Sequence, residues 1–269
     1  MTPRVQRMES AQDYWTARAW LEWQVELGAD EAIGDTPVDR YVLDPTPAAP
    51  AAPKAPPGPP PVVTPEKIDA PAAARAAAKA ASDLAALAEA MAAFDLCDLK
   101  RGARNFVFAD GRPEARVMIL GEAPGRQEDL AGKPFVGQAG QLLDRMLSAI
   151  GLDRAAPAPE DAVYITNVLP WRPPSNRTPD ADEIAMMLPF VKRHIALANP
   201  DVILLMGNTP CQAMLGRAGI TRLRGQWHEV LGRPALPMFH PAYLLRQPLA
   251  KREAWADLLA VRARLREGA

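Results

Sequence analysis

Four short apolar runs rich in β-branched residues, separated by stretches with helical periodicity, limit the fold of this chain more than any other feature. The runs lie at residues 116–120, 163–168, 202–206 and 236–239. Continuous apolar strands between helices are typical of a parallel sheet that is covered on both faces. Helices are predicted at 138–150, 180–198, 209–215 and 249–265. The sequence therefore predicts an α/β fold in three layers, with a four-stranded parallel sheet flanked by helices.

The first third of the chain has a different composition. Ten of the 21 residues at 45–65 are proline and five more are alanine, which favours an extended, polyproline-like linker. Apolar positions predict one helix at 11–27 and a second, amphipathic helix at 72–93. We therefore divide the chain into three parts: an N-terminal helical extension (1–44), a Pro/Ala-rich linker (45–71) and the α/β domain (72–269).

The charge balance and the two cysteines argue against a strongly basic protein, a disulfide-rich protein and a cysteine-bound zinc site. The 31 lysines and arginines nearly balance the 32 aspartates and glutamates, so a nucleic-acid-binding face has to be a local patch. The two cysteines, Cys97 and Cys211, form neither a disulfide framework nor a zinc-binding spacing. We find no apolar run of membrane-spanning length and no secretory signal at the N-terminus. We expect a cytoplasmic protein that does not contact membranes.

Polar residues follow each of the four apolar runs. The first run is followed by Gly121 and Glu122, and the second ends at Asn167. Asn208 follows the third run and His240 the fourth. In open α/β sheets, ligands bind in the crevice beyond the carboxyl ends of the strands. The sequence therefore predicts a site at which an acid, an amide and a histidine converge.

These loops also carry a family resemblance. The segments GEAPG, KPFVGQAGQLLD, VYITNVLPWRPPSNRTP and MFHPAYLLR resemble the family 4 uracil-DNA glycosylases in order and spacing, over about residues 94–262. The resemblance implies a base-excision-repair enzyme that flips uracil out of DNA and hydrolyses its bond to deoxyribose. It also implies single- or double-stranded uracil-containing DNA and the abasic product as partners, and we expect a monomer.

The resemblance assigns roles in base recognition. Phe135 would stack on uracil, with a core aromatic beside a turn as the alternative. Asn167 would pair with the uracil edge, because an amide offers both a donor and an acceptor; the alternative is an asparagine that closes a turn. His240 would hydrogen-bond uracil O2 and stabilise the charge left on the base. The backbone around Ala123 and Gly125 would contact uracil or a phosphate.

Three acids are candidates for the sugar side of the reaction. Glu122 would stabilise the oxocarbenium ion or position water, and Glu128 and Asp129 are second candidates that are otherwise explained as charges at a helix N-terminus. Glu128 is also predicted to contact uracil. Ala123 excludes a general base at its own position. Lys133 is the only lysine in these loops, so we expect a monofunctional glycosylase without Schiff-base chemistry.

Arginines and leucines near the strand ends are candidates for holding DNA. Arg172, Arg177 and Arg246 are predicted to contact phosphates, and the alternative for each is a solvated charge. The Leu244–Leu245 pair resembles the wedge that fills the gap left by a flipped base. The alternative for either leucine is a place in the core.

The cysteines depart from the family pattern. Relatives hold an iron–sulfur cluster with four cysteines, whereas the matching positions here are Phe94, Cys97, Trp171 and Met187, with Met186 as the alternative to Met187. One thiolate does not hold a four-iron cluster. We therefore expect no cofactor and no metal, with apolar packing in place of the cluster.

Two other functions compete with excision. A protein with the same pocket could bind uracil or abasic sites in DNA without turnover, and an α/β hydrolase could act on an unrelated small molecule. The order of the four motifs disfavours the hydrolase. Preference among uracil, hypoxanthine and xanthine is left open.

Overall fold

Two units make up the chain, Met1–Thr64 and Pro65–Ala269. The structure, a computed structural model, describes residues 11–26 and 69–267. In the first unit it shows one helix, α1 (Ala11–Glu26), which agrees with the predicted helix at 11–27. Most of the predicted linker, residues 45–68, lies outside the described residues, and so does the rest of the extension.

The second unit is built on a six-stranded sheet. Its strands are β1 (Ala109–Gly111), β2 (Val117–Gly121), β3 (Val163–Asn167), β4 (Val202–Met206), β5 (His228–Val230) and β6 (Arg233–Met238), in the order β1-β3-β2-β4-β6-β5. The four inner strands are parallel, which confirms the predicted four-stranded core. The two edge strands are antiparallel and were not predicted. Each is only three residues long and lacks the continuous apolar pattern of the inner strands.

Ten helices of the second unit surround this sheet in the described residues. They are α2 (Ala70–Ala80), α3 (Leu84–Ala93), α4 (Leu99–Gly102), α5 (Arg126–Ala131), α6 (Gln138–Ser148), α7 (Ala181–Ala198), α8 (Asn208–Leu215), α9 (Ile220–Leu223), α10 (Pro241–Arg246) and α11 (Lys251–Glu267). The four helices predicted between the strands are confirmed within a few residues at each end. The short helices α4, α5, α9 and α10 were not predicted.

The helix predicted at 72–93 is two helices, and this prediction was wrong. The Asp83 carboxylate accepts a hydrogen bond from the Ala86 N–H at 2.9 Å and so begins α3 after a break at 81–83. The first of the two begins at Ala70, where the Asp69 carboxylate accepts from the Ala72 N–H. Its first two residues therefore fall inside the segment assigned to the linker. Side-chain capping by aspartate set both boundaries.

The strands bury alternate residues on opposite faces of the sheet. Met118 and Leu120 of β2 join the apolar cluster that includes α2, α3 and α7, whereas Val117 and Ile119 join the cluster that includes α6 and α11. Both clusters include buried side chains from every inner strand. The three-layer arrangement is therefore confirmed, and its core lies on both faces of the sheet.

The strand order creates a crevice between β2 and β4. From β2 the chain passes through α6 to β3 on one side, and from β4 it passes through α8 towards β6 on the other. Ligands in open α/β sheets bind where the connections diverge in this way. In the described part of the chain, no helix is long and apolar enough to cross a membrane.

Candidate active site

A cavity of about 590 Å³ opens at the carboxyl ends of the inner strands. Most of the residues predicted to bind uracil or to act on it line this cavity. These are Glu122, Ala123, Glu128, Phe135, Asn167 and His240, joined by Arg246 from the predicted DNA-binding set. The fold therefore brings together residues that are up to 124 positions apart in the chain, from Glu122 to Arg246.

His240 begins α10 and presents a neutral ring to the cavity. Its Nδ1 accepts a hydrogen bond from the Ala242 N–H at 3.1 Å, so the proton of the neutral ring lies on Nε2. Burial and, to a smaller extent, the nearby Arg246 lower the pKa of His240 to about 4, against an opposing effect of Glu128. At neutral pH the side chain is therefore an uncharged donor through Nε2.

Phe135 and Asn167 converge on Gly121 at the end of β2. A Cβ at Gly121 would lie 2.2 Å from Asn167 Oδ1 and 2.5 Å from Phe135 Cε2, closer than atoms can approach. The Phe135 ring lies 5.3 Å from the His240 ring, centroid to centroid, at an interplanar angle of 32°. Only glycine at position 121 lets the aromatic ring and the amide share this end of the cavity.

The Asn167 side chain is an unpaired amide in a buried place. Asn167 is 5 % exposed, and among residues 11–26 and 69–267 its side-chain amide has no hydrogen-bond partner. Its polar atoms border the cavity, since the fully buried side-chain atoms without a partner in the described residues are limited to His228 Nε2. The free donor and acceptor therefore mark the place where a ligand with complementary groups binds.

Glu122 is held across the crevice by a residue that the sequence did not single out. The buried Thr209 hydroxyl, at the start of α8, donates to Glu122 Oε2 at 2.5 Å. This bond joins the loop after β2 to the loop after β4. The position of Thr209 after the third apolar run was visible in the sequence, but its partner was not.

Glu128 and Asp129 have structural contacts that distinguish them from Glu122. Glu128 Oε1 accepts from the N–H groups of Val136 and Gly137 at 3.0 and 2.8 Å, although the side chain also lines the cavity. The buried Asp129 carboxylate accepts from the backbone of residues 104 and 105 and does not line the cavity. The suggestion that Asp129 acts on the sugar was therefore wrong.

Two of the predicted DNA contacts have other partners. Leu244 is 0 % exposed and packs in a cluster with Leu142 and Phe239, so it cannot insert between bases, and that prediction was wrong. Leu245 is 40 % exposed. Arg177 forms a two-pronged ion pair with Glu183, which itself closes the N-terminus of α7.

The remaining two arginines are better placed for a charged ligand. Arg172 donates through Nε to the Asn176 side chain at 2.7 Å, a bond that does not use its two terminal nitrogens. Arg246 is exposed at the rim of the cavity. Both lie at the carboxyl edge of the sheet, where a phosphate backbone would pass.

The four positions predicted to correspond to iron–sulfur ligands lie in one apolar cluster. Phe94, Cys97, Trp171 and Met187 are each at most 8 % exposed, whereas Met186 is only partly buried. The Phe94 ring contacts Phe190 edge-on, and the Trp171 ring lies 5.8 Å from that of Phe106. Burial raises the pKa of the Cys97 thiol. One protonated thiol among carbon side chains does not fit an iron–sulfur cluster.

The residues that the structure describes offer no other metal site. Within 11–26 and 69–267, no three His, Cys, Asp or Glu side chains come close enough together to bind a metal ion. The cavity is instead lined by an aromatic ring, an amide, a neutral imidazole and a carboxylate. Together the fold and this lining define a three-layer α/β protein with a pocket for a planar ligand that has hydrogen-bonding edges.

Comparison with known proteins identifies the family. The chain belongs to the uracil-DNA glycosylase superfamily, whose family model matches residues 108–259. It is 41 % identical over 153 residues to the type-4 uracil-DNA glycosylase of Thermotoga maritima, covering 56 % of this chain and 77 % of the relative. It is 39 % identical over 170 residues to the type-4 enzyme of Archaeoglobus fulgidus, covering 60 % and 82 %.

Proposed function

We propose that this protein is a monofunctional uracil-DNA glycosylase of base-excision repair. It hydrolyses the bond between uracil and deoxyribose in DNA and leaves an abasic site. The observation that carries the proposal is the unpaired Asn167 amide, which lines one cavity together with the Phe135 ring and the neutral His240 donor in a chain of this superfamily.

Uracil is recognised by its edge and its face. The flipped base stacks on Phe135, and the Asn167 amide donates to O4 while it accepts from N3–H. His240 donates through Nε2 to O2. Nε2 is the nitrogen of His240 that is available for this contact, because Nδ1 already accepts a hydrogen bond from the Ala242 N–H.

Cleavage leaves a negative charge on uracil and a positive charge at C1′ of the sugar, and the site has one group to stabilise each charge. The C1′–N1 bond breaks with its electron pair going to uracil, whose negative charge concentrates on O2 beside the His240 donor. The Glu122 carboxylate stabilises the positive charge at C1′ and orients the water that adds there. The proton that water loses passes to solvent or to the uracil anion. Thr209 keeps the carboxylate facing the crevice.

No lysine lines the cavity in the part of the chain that the structure describes, so we propose hydrolysis without a Schiff base. Arg172 and Arg246 contact phosphates, and Leu245 fills the gap in the stack after the base leaves it. We propose that the enzyme acts without an iron–sulfur cluster, which is supported by the apolar packing of Phe94, Trp171 and Met187 at the positions where the resemblance implies ligands. A cytoplasmic location, a monomeric state and the division at 45–71 stay predictions.

Excision from uracil-containing oligonucleotides tests the proposal. Single- and double-stranded substrates are incubated with the protein and then treated with alkali, which cleaves at abasic sites. We expect cleavage with wild type and a loss of about 10²–10³-fold in rate with His240→Ala. His228→Ala, on the edge strand β5, is the matched control and should retain full activity.

Two outcomes contradict the proposal. If His240→Ala excises uracil as fast as wild type, His240 has no role in the reaction. Tight binding of uracil or abasic DNA by the wild type, with no cleavage after alkali, supports the alternative of a binding protein without turnover. The absorption spectrum of the pure protein tests the cofactor: the broad visible band of thiolate-ligated iron contradicts the cluster-free enzyme.

A further inference from the structure

We propose that Arg154, which lies outside the cavity, is a positioning residue for uracil binding because it holds Phe135 in the conformation that stacks on the base. The proposal rests on the function proposed above and adds a residue that touches neither uracil nor DNA. Arg154 lies in the loop between α6 and β3, and its side chain is 15 % exposed.

The Phe135 backbone needs an external restraint. Its φ angle is +52°, in the left-handed region that residues with a Cβ rarely adopt. Such a conformation persists only where the surrounding contacts over-determine it. Without restraint the backbone would relax, and the ring would leave its place beside Gly121 and His240.

Arg154 supplies the restraint from one side. Its Nη2 donates to the Phe135 carbonyl at 2.9 Å and its Nη1 to the Pro134 carbonyl at 3.0 Å. Two consecutive carbonyls are therefore fixed by one planar group. A lysine has a single nitrogen and cannot reproduce this two-point contact.

The guanidinium is itself fixed by two acids. Asp144 of α6 accepts from Nε at 2.9 Å and lies 2.8 Å from Nη2, and Asp110 of β1 accepts from Nη1 at 3.1 Å. These carboxylates hold the guanidinium plane against the 134–135 peptides. The clamp therefore ties the Phe135 loop to α6 and to the edge of the sheet.

The same loop is held from the other side by Glu128, through the N–H groups of Val136 and Gly137. The start of α6 packs against it as well, because a Cβ at Gly140 would lie 1.8 Å from the Phe135 carbonyl oxygen. Carbonyls before the turn and N–H groups after it are thus both occupied. Arg154 and Glu128 together leave Phe135 one position.

The clamp predicts a specific defect. Loss of Arg154 should weaken contacts to the base and leave contacts to phosphates unchanged. Misplacement of a binding group by about 1 Å costs up to about 100-fold. We therefore expect Arg154→Met and Arg154→Lys to weaken inhibition by free uracil and to raise KM for uracil DNA by about 10- to 100-fold, with unchanged affinity for uracil-free DNA.

A double-mutant cycle with Phe135→Ala separates positioning from general damage. The inhibition constant of free uracil is measured for wild type, Phe135→Ala, Arg154→Met and the double variant, together with each thermal midpoint. If Arg154 acts through Phe135, the double variant binds uracil no more weakly than Phe135→Ala alone. Arg116→Met is the matched control, since Arg116 pairs with Asp201 at the opposite end of the sheet.

Three results decide the matter. Additive losses in the cycle overturn the proposal, because Arg154 then acts independently of Phe135. Normal uracil inhibition in a folded Arg154→Met or Arg154→Lys protein overturns it as well; the lysine variant keeps a positive charge for the two acids if methionine prevents folding. Absence of both uracil inhibition and excision in wild type instead overturns the proposed function.

Discussion

The cavity and the apolar cluster around Trp171 lie in the same domain but are built in opposite ways. The cavity leaves polar groups unpaired, such as the Asn167 amide, and holds Phe135 in an unfavourable backbone conformation. The cluster around Trp171, which contains Phe94, Cys97 and Met187, buries apolar side chains and joins several of them by ring contacts. Binding sites give up stability for function, whereas packed clusters supply stability.

The positions predicted to correspond to iron–sulfur ligands are separate from the cavity. Phe94, Trp171 and Met187 lie in the apolar cluster, whereas the groups proposed to act on uracil lie at the carboxyl edge of the sheet. Substitutions in the cluster should therefore change the free energy of unfolding first and activity second. Substitutions in the cavity should do the reverse.

The largest effect on stability is expected from Trp171→Ala. Removal of a ring that is 2 % exposed leaves a cavity in the core, which lowers the free energy of unfolding by about 3–5 kcal/mol. Chemical denaturation measures the change. Trp255→Ala removes the same side chain from a place that is 43 % exposed and should cost less than about 1 kcal/mol. Equal losses at the two positions would contradict the role of the Trp171 cluster.

Asn167→Leu should lower the activity and leave the stability largely unchanged. It removes the donor and acceptor for uracil, so we expect kcat/KM to fall by about 10- to 100-fold. The free energy of unfolding should change little, because the amide forms no hydrogen bond within the described residues and lines the cavity. Excision kinetics and denaturation are measured on the same preparation.

Asn105→Leu is the matched control for that substitution. The Asn105 amide donates to the Asp129 carbonyl at 2.7 Å, so its loss should lower stability and leave kcat/KM close to wild type. A stability loss at Asn167 as large as that at Asn105 would mean that the Asn167 amide has a structural role.

The buried His194 should make the stability of the protein depend on pH. Its ring stacks on Phe108 at 4.4 Å, its Nε2 lies 2.9 Å from the Tyr164 hydroxyl, and burial lowers its pKa to about 3. The unfolded chain binds a proton at this histidine below about pH 6.5 and the native protein does not, so stability is lost as pH falls from 6.5 towards 3.

His194→Gln removes this proton linkage. The variant should be less stable than wild type at pH 8. This gap, the difference in free energy of unfolding between the two proteins, should narrow below pH 6.5 by at most about 1.4 kcal/mol per pH unit. Tyr164→Phe removes the hydrogen bond and keeps the imidazole, so its gap should change far less with pH. A gap for His194→Gln that stays constant down to pH 5 would show that the buried histidine is not the cause.

The smallest effect is expected from Thr209→Val. Loss of the hydroxyl leaves the Glu122 carboxylate without its bond across the crevice, and we expect kcat to fall about tenfold with little change in KM. Thr209→Ser keeps the hydroxyl and should stay close to wild type. Single-turnover excision compares the three proteins, and a serine variant as slow as the valine variant would assign the effect to packing.

Local sequence predicted the elements that local forces set. The inner strands follow from continuous apolar runs, and the cavity follows from the polar residues after each run, because parallel strands end at one edge. The break before Asp83 was missed, since the alanine-rich pattern continues across it and a single capping bond decides the boundary. Strand β1 was missed because its partner β3 lies far along the chain. Strand β5 forms a local hairpin with β6, but it was missed because its three residues lack a continuous apolar pattern.

The α/β class, the four parallel strands and the family of the chain could be read from the amino-acid sequence, because they rest on periodicity and on contiguous motifs. The three-dimensional contacts were needed to see which leucine is buried, which acid faces the crevice and which arginine holds Phe135. Leu244 and Leu245 are neighbours in the chain, yet one is buried and the other exposed. Such differences depend on contacts between distant segments, which no local pattern records.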